Sequence, residues 1–480
     1  MSIIHFEDNN LKIFDWAVCK VRYKKGQTKF YAFGVPLFQV KDPFDALRRD
    51  FAKETDFNTI SYDEKVEQIV SEYQNIQKGK QPQKRLAFLA TKIYDMGGHT
   101  KWLRDMEKTL CDDYEQTLFL TTKKTSIKAA PQTIEYLQKF SDIKFFNQFS
   151  CSCEHNIREI YDSIVDYAPQ ALFVFIHPDD FIATAVIALI RQHTNIKVFF
   201  VNHATHRPAL AMSLCDLVLE ETPSSAYVTQ KLRGLQKTHI IGLISKSEAD
   251  NPQYTKQQIE NMRATIGIPK GAICTMSGAA SYKFFDKKGT ASRYFEMIQQ
   301  MLKEHENVYH VVITAFQKHE KALVDKMFVD SPVKNRLILL PYQEDYELAF
   351  KCADLFIDSF PMGSAVAMID LMRLKVPYVV KINTENSALS FHEYQSPDFP
   401  YMYETVADFY AGIKELLANP QKRMQMTGAN YQYYLTHYEP KAAHAILMQT
   451  INCSNFAKLE DKLDPKVKYK LNFEDECLAM

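Results

Sequence analysis

A strand-to-helix junction near residue 360 carries the residue types best suited to bind a phosphorylated ligand. A candidate strand ends at Asp358, and the loop 359–363 leads into a helix expected to begin near Ser364. Gly363 lets backbone approach a ligand, Ser364 can cap the helix, and the free N–H groups there attract phosphate. Asp370, about two turns into the helix, can accept hydrogen bonds from ribose hydroxyls. The alternative is an ordinary corner with a capping serine and a surface aspartate.

A second junction can supply a cation. The segment 272–285 reads AICTMSGAASYKFF, in which a candidate strand ends at Met276 and a loop with Gly278 precedes Lys283. A lysine there can neutralise a departing diphosphate, which stabilises the leaving group electrostatically. The alternative is a solvated lysine beside an aromatic cluster.

Histidines mark two loops in the first half of the chain. In the segment 95–104, DMGGHTKWLR, Gly97 and Gly98 permit a tight turn, Thr100 can cap the next helix, and His99 can contact an acceptor or a phosphate. The alternative for His99 is packing on a neighbouring tryptophan.

The segment 201–208, VNHATHRP, places His203 and His206 at the end of another candidate strand. A metal would need carboxylate help that is not evident there. We therefore expect one of these histidines to line the acceptor side of the site.

Four absences exclude other chemistries. The chain contains no Asp-x-Asp pair to hold the divalent ion of a donor diphosphate, so we expect no metal and no other cofactor. It contains no GxxxxGK[ST] phosphate loop and no GxGxxG dinucleotide fingerprint, which argues against a P-loop enzyme and a nicotinamide dehydrogenase. The closely spaced Cys151 and Cys153 have no second pair to complete a zinc site.

Two successive series of short apolar runs must position these residues. Separation by helix-length segments favours parallel sheets built from βα units. The first series comprises candidate strands at 85–90, 116–121, 171–176, 197–201, 217–219 and 238–241. The second comprises 272–276, 308–313, 336–339, 355–357 and 378–380. The predicted fold class is therefore α/β, with two Rossmann-like lobes and a central cleft.

The sequence predicts four regions: an N-terminal module (1–80), a first lobe (81–250), a second lobe (251–455) and a tail (456–480). In the module, Val18–Tyr23 and Lys29–Val40 flank a Gly-containing turn and predict a β-hairpin, followed by a polar helix at 62–78. The tail is expected to be a peripheral helix and a loose end.

Composition bounds the partners and the compartment. Hydrophobic residues make up 46% and charged residues 24% of 480, which is typical of globular proteins. Lys+Arg and Asp+Glu are both 58, so the basic excess of a nucleic-acid-binding protein is missing. The first residues lack a secretory signal, and no apolar run reaches the ~18–20 residues of a spanning helix. With nine scattered cysteines, a cytoplasmic location is expected.

The Asp–x–Phe–Pro–x–Gly stretch and Asp370 resemble the donor-site loop of the bacterial adhesin N-glycosyltransferases and, more loosely, of the O-GlcNAc transferases. This family is inverting and has the GT-B fold. The resemblance implies that Asp370 binds the donor ribose, that the helix start holds the diphosphate, and that Lys283 assists. The chain departs from the family at 365–367, where Ala-Val-Ala replaces small polar residues, leaving backbone N–H groups and Ser364 to meet the phosphates.

The other motifs also resemble this family. His99 matches a histidine in an Asp–x–Gly–x–His loop, and the loop with His203 and His206 is similar to one in the adhesin enzymes. Pro341 and Tyr342, which follow the candidate strand 336–339, complete the nucleotide-sugar-binding prediction. The helical N-terminal domain or repeats of these relatives have no counterpart here.

We therefore expect a metal-independent glycosyltransferase that takes a hexose or N-acetylhexosamine from a UDP-sugar. Residues 29–40, KFYAFGVPLFQV, look like a stretch of bacterial surface-glycan glycosyltransferases. This favours a lipooligosaccharide or capsule acceptor, with proximity to the inner face of a membrane, over the protein acceptor that the donor-loop resemblance implies. The alternatives are a non-catalytic partner subunit and another enzyme of this shape, such as a glycerol-phosphate transferase or a sugar epimerase.

Overall fold

A computed structural model describes residues 4–7, 10–13, 16–24, 27–32, 35–95, 98–121, 130–146, 153–286, 288–386, 392–463 and 469. The chain divides into two compact units. Unit 1 comprises Met1–Glu221, Ser225–Ile241 and Leu447–Lys462. Unit 2 comprises Thr222–Ser224, Gly242–Ile446 and Leu463–Met480.

The N-terminal segment forms an antiparallel sheet in which consecutive strands pair. Its strands are β1 (Ile4–Glu7), β2 (Asn10–Ile13), β3 (Trp16–Lys24), β4 (Gln27–Ala32) and β5 (Val35–Lys41). The predicted hairpin is confirmed by the pairing of β3 with β4. The predicted second arm is divided between β4 and β5, which pair with each other, and residues 33–34 lie outside the described residues.

Unit 1 contains a seven-stranded parallel sheet. Its strands are β6 (Gln83–Ala90), β7 (Glu115–Leu120), β8 (Asp142–Phe145), β9 (Pro169–Phe175), β10 (Lys197–Val201), β11 (Leu217–Glu220) and β12 (Thr238–Ile240), in the order β12-β11-β10-β9-β6-β7-β8. All six predicted strands are confirmed. The edge strand β8 was not predicted, since its sequence DIKF has only two apolar residues.

Unit 2 contains a six-stranded parallel sheet. Its strands are β13 (Ile273–Gly278), β14 (Val308–Ile313), β15 (Leu337–Leu340), β16 (Leu355–Ile357), β17 (Tyr378–Lys381) and β18 (Met402–Tyr403), in the order β15-β14-β13-β16-β17-β18. The five predicted strands are confirmed. The two-residue β18 is too short to stand out from the sequence.

The connecting segments are mainly helical. The α-helices are α1 (Asp45–Phe51), α2 (Ile60–Ser71), α3 (Gly98–Leu110), α4 (Pro131–Leu137), α5 (Cys153–Tyr167), α6 (Phe181–His193), α7 (Pro223–Lys231), α8 (Lys256–Thr265), α9 (Arg293–Glu304), α10 (Lys318–Phe328), α11 (Tyr346–Lys351), α12 (Ala365–Arg373), α13 (Val406–Ala418), α14 (Pro420–His437) and α15 (Pro440–Asn452). The helix predicted at 62–78 is α2, which ends at Ser71. In the tail, only a short 3₁₀ turn at Phe456–Lys458 is described. Within the described ranges, no helix combines the length and apolarity that crossing a membrane requires.

Helix α6 is the centre of the unit 1 core. Its first ten residues, Phe181–Ile190, are buried, and it packs against α2 and α5. Asp180 caps the helix by accepting a hydrogen bond from the Ala183 N–H (2.9 Å). The same carboxylate accepts hydrogen bonds from the hydroxyls of Thr91 (2.5 Å) and Thr121 (2.9 Å), which follow β6 and β7. One carboxylate therefore ties the start of α6 to two neighbouring strand ends.

Both parallel sheets reverse their strand order once. In unit 1 the chain builds outward from β6 through β7 to β8, then returns to β9 on the other side of β6. In unit 2 the reversal lies between β13 and β16. Loops leaving two such strands diverge, and ligands of open α/β sheets bind in the resulting crevice at the carboxyl ends of the strands.

Candidate functional site

The switch point of unit 2 brings two of the predicted segments together. Lys283 lies in a 3₁₀ turn, Ser281–Phe284, that follows β13, and Gly363 lies in the loop that follows β16. The Lys283 Nζ donates a hydrogen bond to the Gly363 carbonyl oxygen at 2.7 Å. A half-buried ammonium group therefore lies beside the loop that the sequence associates with phosphate.

The loop from Asp358 to Ser364, here called the donor loop, is closed by its own hydrogen bonds. The Asp358 Oδ1 accepts the backbone N–H of Ser364 at 2.8 Å. The Ser359 Oγ donates to the Met362 carbonyl and lies 2.8 Å from the Ser364 Oγ. The prediction that the Ser364 side chain caps the helix is wrong, because its hydroxyl is held by Ser359 and makes no capping bond. That the backbone N–H groups at the start of α12 bind phosphate stays a prediction.

Asp358 was not predicted as a functional residue, yet it is the most unusual carboxylate of this site. Its side chain is 1% exposed. Burial raises the pKa of Asp358 to about 7, although the Ser364 hydrogen bonds and the nearby Lys283 ammonium act in the opposite direction. An acidic residue directly after a buried strand and before a glycine-containing loop was the available sequence signal.

Asp370 lies in a buried ionic cluster. Its Oδ1 is 3.2 Å from the Arg373 guanidinium, and its Oδ2 accepts a long hydrogen bond of 3.4 Å from the Tyr346 hydroxyl. Arg373 also binds Glu347 at 2.7 Å. The surface aspartate that the sequence left as an alternative is therefore excluded, since Asp370 is 3% exposed.

The remaining unit 2 candidates lie at neighbouring strand ends. Pro341 and Tyr342 follow β15 and are both exposed. Tyr342 is near Tyr282, whose pKa is raised first by partial burial and then by the Tyr342 phenol. Gly278 ends β13 and is buried, and a Cβ there would lie 3.1 Å from the Phe350 ring. Its lack of a side chain thus serves helix-to-sheet packing, which the sequence analysis did not foresee.

The switch point of unit 1 assembles the predicted histidines. His99 is in the first turn of α3, and His203 follows β10; their ring centroids are 5.1 Å apart. The ring centroid of His177, two residues after β9, lies 6.2 Å from that of His99, and the Tyr94 ring stacks on His177 at a centroid distance of 6.4 Å. The sequence left His177 without a role, although its position after a buried strand was visible.

One hydrogen bond fixes the tautomer of His99. Its Nε2 lies 2.9 Å from the backbone carbonyl of Lys92, and because a carbonyl only accepts, Nε2 carries the proton. The Nδ1 therefore bears the lone pair of the neutral ring. Burial lowers the pKa of His99, and the adjacent His177 lowers it further.

The other predicted residues of these two loops are Gly98, Thr100 and His206. Gly98 is exposed and begins α3, whereas Gly97 lies outside the described residues. The prediction that Thr100 caps this helix is wrong: its hydroxyl lies inside the first turn and accepts the Tyr94 N–H at 3.1 Å. His206 is half-buried, three residues after His203.

Buried polar residues support the loop that carries His203 and His206. The Arg233 guanidinium donates to the carbonyls of Ala204 (3.3 Å) and Thr205 (3.2 Å). The preceding Asn202 donates to the buried Glu220 at 2.9 Å. These hydrogen bonds stabilise the backbone conformation of the loop and the residue that precedes it.

No protein-family model and no curated protein sequence matches the chain. Solved structures do resemble it. A glycosyltransferase from Rickettsia africae ESF-5 has a TM-score of 0.62 at 10% identity, covering 78% of this chain and 100% of that one. Anabaena HepE in complex with UDP and glucose has a TM-score of 0.61 at 12% identity, covering 77% and 99%. A mutant O-GlcNAc transferase from Thermobaculum terrenum has a TM-score of 0.51 at 9% identity, covering 85% and 76%.

These similarities, together with the two parallel sheets, confirm the expected α/β fold with two Rossmann-like units of the GT-B type. At such identities they establish the fold alone. Within the part of the chain that the structure describes, no three His, Cys, Asp or Glu side chains are grouped to hold a metal ion.

The neutral state of His203 predicts a pH-dependent stability. Burial lowers its pKa to about 3, and the imidazoles of His99, His177 and His206 contribute to the shift. An unfolded histidine titrates near 6.5, so the stability contribution is full above about pH 6.5 and is lost as pH falls toward 3. Each pH unit in that window should cost up to about 1.4 kcal/mol from this residue. When the free energy of unfolding is measured with urea between pH 4 and 7, its slope against pH should be smaller in His203→Asn than in the parent, by the equivalent of about one proton.

The exposed His319 provides the control for this measurement. His319→Asn should keep the pH slope of the parent protein. Equal slopes in the parent and in His203→Asn would contradict the neutral state of this imidazole.

Proposed function

We propose that this protein is a metal-independent, inverting glycosyltransferase that uses a UDP-sugar, with a hexose or N-acetylhexosamine as the sugar. The observation that carries the proposal is the hydrogen bond of Lys283 to Gly363, because it brings a cation to the donor loop at a switch point. The fold similarity to Anabaena HepE, solved with UDP and glucose, supports the same choice of donor.

In the proposed reaction an acceptor oxygen or nitrogen attacks the anomeric carbon while the bond from that carbon to the diphosphate oxygen breaks. The electron pair of this bond leaves with UDP, and the acceptor proton passes to a base. Lys283 stabilises the charge on the diphosphate, and the first N–H groups of α12 contribute as at other helix N-termini. His99 is the proposed base, since its Nδ1 bears the lone pair.

Asp370 is proposed to hold the donor ribose. Of its two oxygens, Oδ2 has the weaker partner, because the 3.4 Å contact from Tyr346 is at the limit of a hydrogen bond. A ribose hydroxyl that replaces the Tyr346 hydroxyl would donate a hydrogen bond to the Asp370 carboxylate. Pro341 and Tyr342 are proposed to contribute to the same nucleotide subsite.

The acceptor is proposed to be a surface glycan, such as lipooligosaccharide or capsule, or a protein. The histidines His99, His203 and His206, with Gly98, are proposed to form its binding side. A lipid-linked acceptor would bring a cytoplasmic enzyme to the inner face of the membrane. The formal net charge of zero offers no general attraction for nucleic acid.

UDP should stabilise the protein, and Asp370→Asn should weaken this effect. At 100 times its Kd, UDP should raise the free energy of unfolding by about 2.7 kcal/mol. Loss of a hydrogen bond to a charged group costs roughly 1.5–3 kcal/mol, so UDP affinity should fall about 10–150-fold in the variant. Titration of UDP followed by thermal unfolding measures both effects. The exposed Asp398→Asn is the control, and unchanged affinity in Asp370→Asn would remove the ribose assignment.

Removal of the Lys283 ammonium should slow turnover. Lys283→Ala should lower kcat by about 10²–10³, because a cation at the departing diphosphate acts mainly in the transition state. Lys283→Arg should restore activity only partly, since a planar guanidinium presents its charge differently. Steady-state kinetics of both variants and of the exposed control Lys288→Ala test this, and equal kcat in Lys283→Ala and the control would exclude Lys283 from the reaction.

Turnover should survive a chelator. The proposed diphosphate partners are Lys283 and backbone N–H groups rather than a metal held by carboxylates. UDP release measured in excess EDTA should equal that without EDTA. Complete loss of turnover that Mn²⁺ or Mg²⁺ restores would overturn the metal-free proposal, whereas UDP binding without any release of UDP from UDP-sugars would favour the non-catalytic partner.

A further inference from the structure

The donor loop is held between two opposite charges. The Asp358 carboxylate accepts the Ser364 N–H at 2.8 Å, and the Lys283 ammonium donates to the carbonyl of the adjacent Gly363 at 2.7 Å. Both groups lie at the start of α12, which begins at Ala365. The positive end of this helix therefore already has an internal anion beside it.

A nucleoside diphosphate at the same place would be a second anion. Its charge would repel the Asp358 carboxylate, which is buried and cannot be screened by water. It would also engage Lys283, whose charge otherwise compensates Asp358. Both effects favour the neutral form of the aspartate.

We propose that binding of a nucleoside diphosphate at the donor loop is coupled to uptake of one proton by Asp358. This inference rests on the proposed UDP donor site and adds a positioning residue to it. As a neutral acid, Asp358 can still accept the Ser364 N–H, so the loop keeps its shape while the competing charge disappears. The proton comes from solvent, and no covalent bond other than O–H forms.

The groups around Asp358 support this exchange. Among the described residues, and against the effect of burial, Lys283 lowers the pKa of Asp358, and Asp358 raises the pKa of Lys381 at the end of β17. Two further described neighbours can titrate, the phenols of Tyr294 and Tyr378. Both are fully buried, and burial raises their pKa values, so both stay neutral. Because Lys283 binds the Gly363 carbonyl of the donor loop whereas Lys381 binds the Ile382 and Glu404 carbonyls, Lys283 is the cation that a bound diphosphate would engage.

The pH range of the effect follows from the starting state. With a pKa of about 7, Asp358 carries a proton in only about a tenth of free molecules at pH 8. A diphosphate that raises this pKa by about two units would leave about nine-tenths protonated, an uptake of about 0.8 proton. The Kd for UDP should then rise by up to about tenfold per pH unit between pH 7 and 9.

Calorimetric titration of the full chain with UDP at pH 8, in buffers of different ionisation enthalpy, measures the proton number directly. The terminal phosphate of UDP, with a second pKa near 6, is already ionised there and does not contribute. The test variant is Asp358→Asn, which mimics the neutral acid and keeps the acceptor for Ser364. The control is Asp354→Asn. Asp354 directly precedes β16, whereas Asp358 directly follows it, and the Asp354 carboxylate is paired with Arg263.

We expect an uptake of about 0.8 proton in the parent and in Asp354→Asn, and none in Asp358→Asn, which should bind UDP at pH 8 at least as tightly as the parent. If Asp358 had only a structural role, Asp358→Asn would bind UDP no more tightly than the parent and would leave the proton uptake unchanged. Uptake near zero in the parent, or equal uptake in Asp358→Asn, overturns the inference and leaves the UDP site intact. If the parent does not bind UDP, the proposed donor site fails as well. The parent alone decides the proton number if Asp358→Asn does not fold.

Discussion

The reversal of strand order in each parallel sheet is the constraint on which both candidate sites depend. Parallel strands need crossover connections, and a chain that builds outward from one strand in both directions leaves two loops that diverge at the carboxyl edge. In unit 1 these loops follow β6 and β9, and in unit 2 they follow β13 and β16. Lys283 and the donor loop meet because the unit 2 reversal makes their strands neighbours.

Burial at these edges determines the charge of the functional groups. Desolvation lowers the pKa of His203 and favours its neutral imidazole, and burial likewise raises the pKa of Asp358 and favours its neutral acid, although the nearby Lys283 acts in the opposite direction. The two units therefore present different chemistries. Unit 1 brings together imidazoles, of which His99 and His203 have lowered pKa values, and unit 2 combines a lysine ammonium, a helix N-terminus and a carboxyl group with a raised pKa.

This chain differs from the adhesin-type donor loop in the side chains at the start of α12. Where those enzymes have small polar residues, the chain has Ala-Val-Ala at 365–367, and the nearby hydroxyls of Ser359 and Ser364 bind each other. The proposed phosphate contact would therefore depend on Lys283 and backbone N–H groups. The buried cluster of Asp370, Arg373 and Glu347 gives the next part of α12 a fixed charge arrangement.

The sequence by itself determined the fold class and most strands, because buried parallel strands are continuous apolar runs that differ clearly from the helices between them. It also indicated Lys283, His99 and His203, since they follow such strands. Only the tertiary structure decided which loops become neighbours, and so revealed His177 and Asp358 as members of these clusters. It also replaced two expected helix caps, Ser364 and Thr100, by other bonds. Hydrogen-bond partners and burial depend on residues distant in the chain, and local spacing carries no record of them.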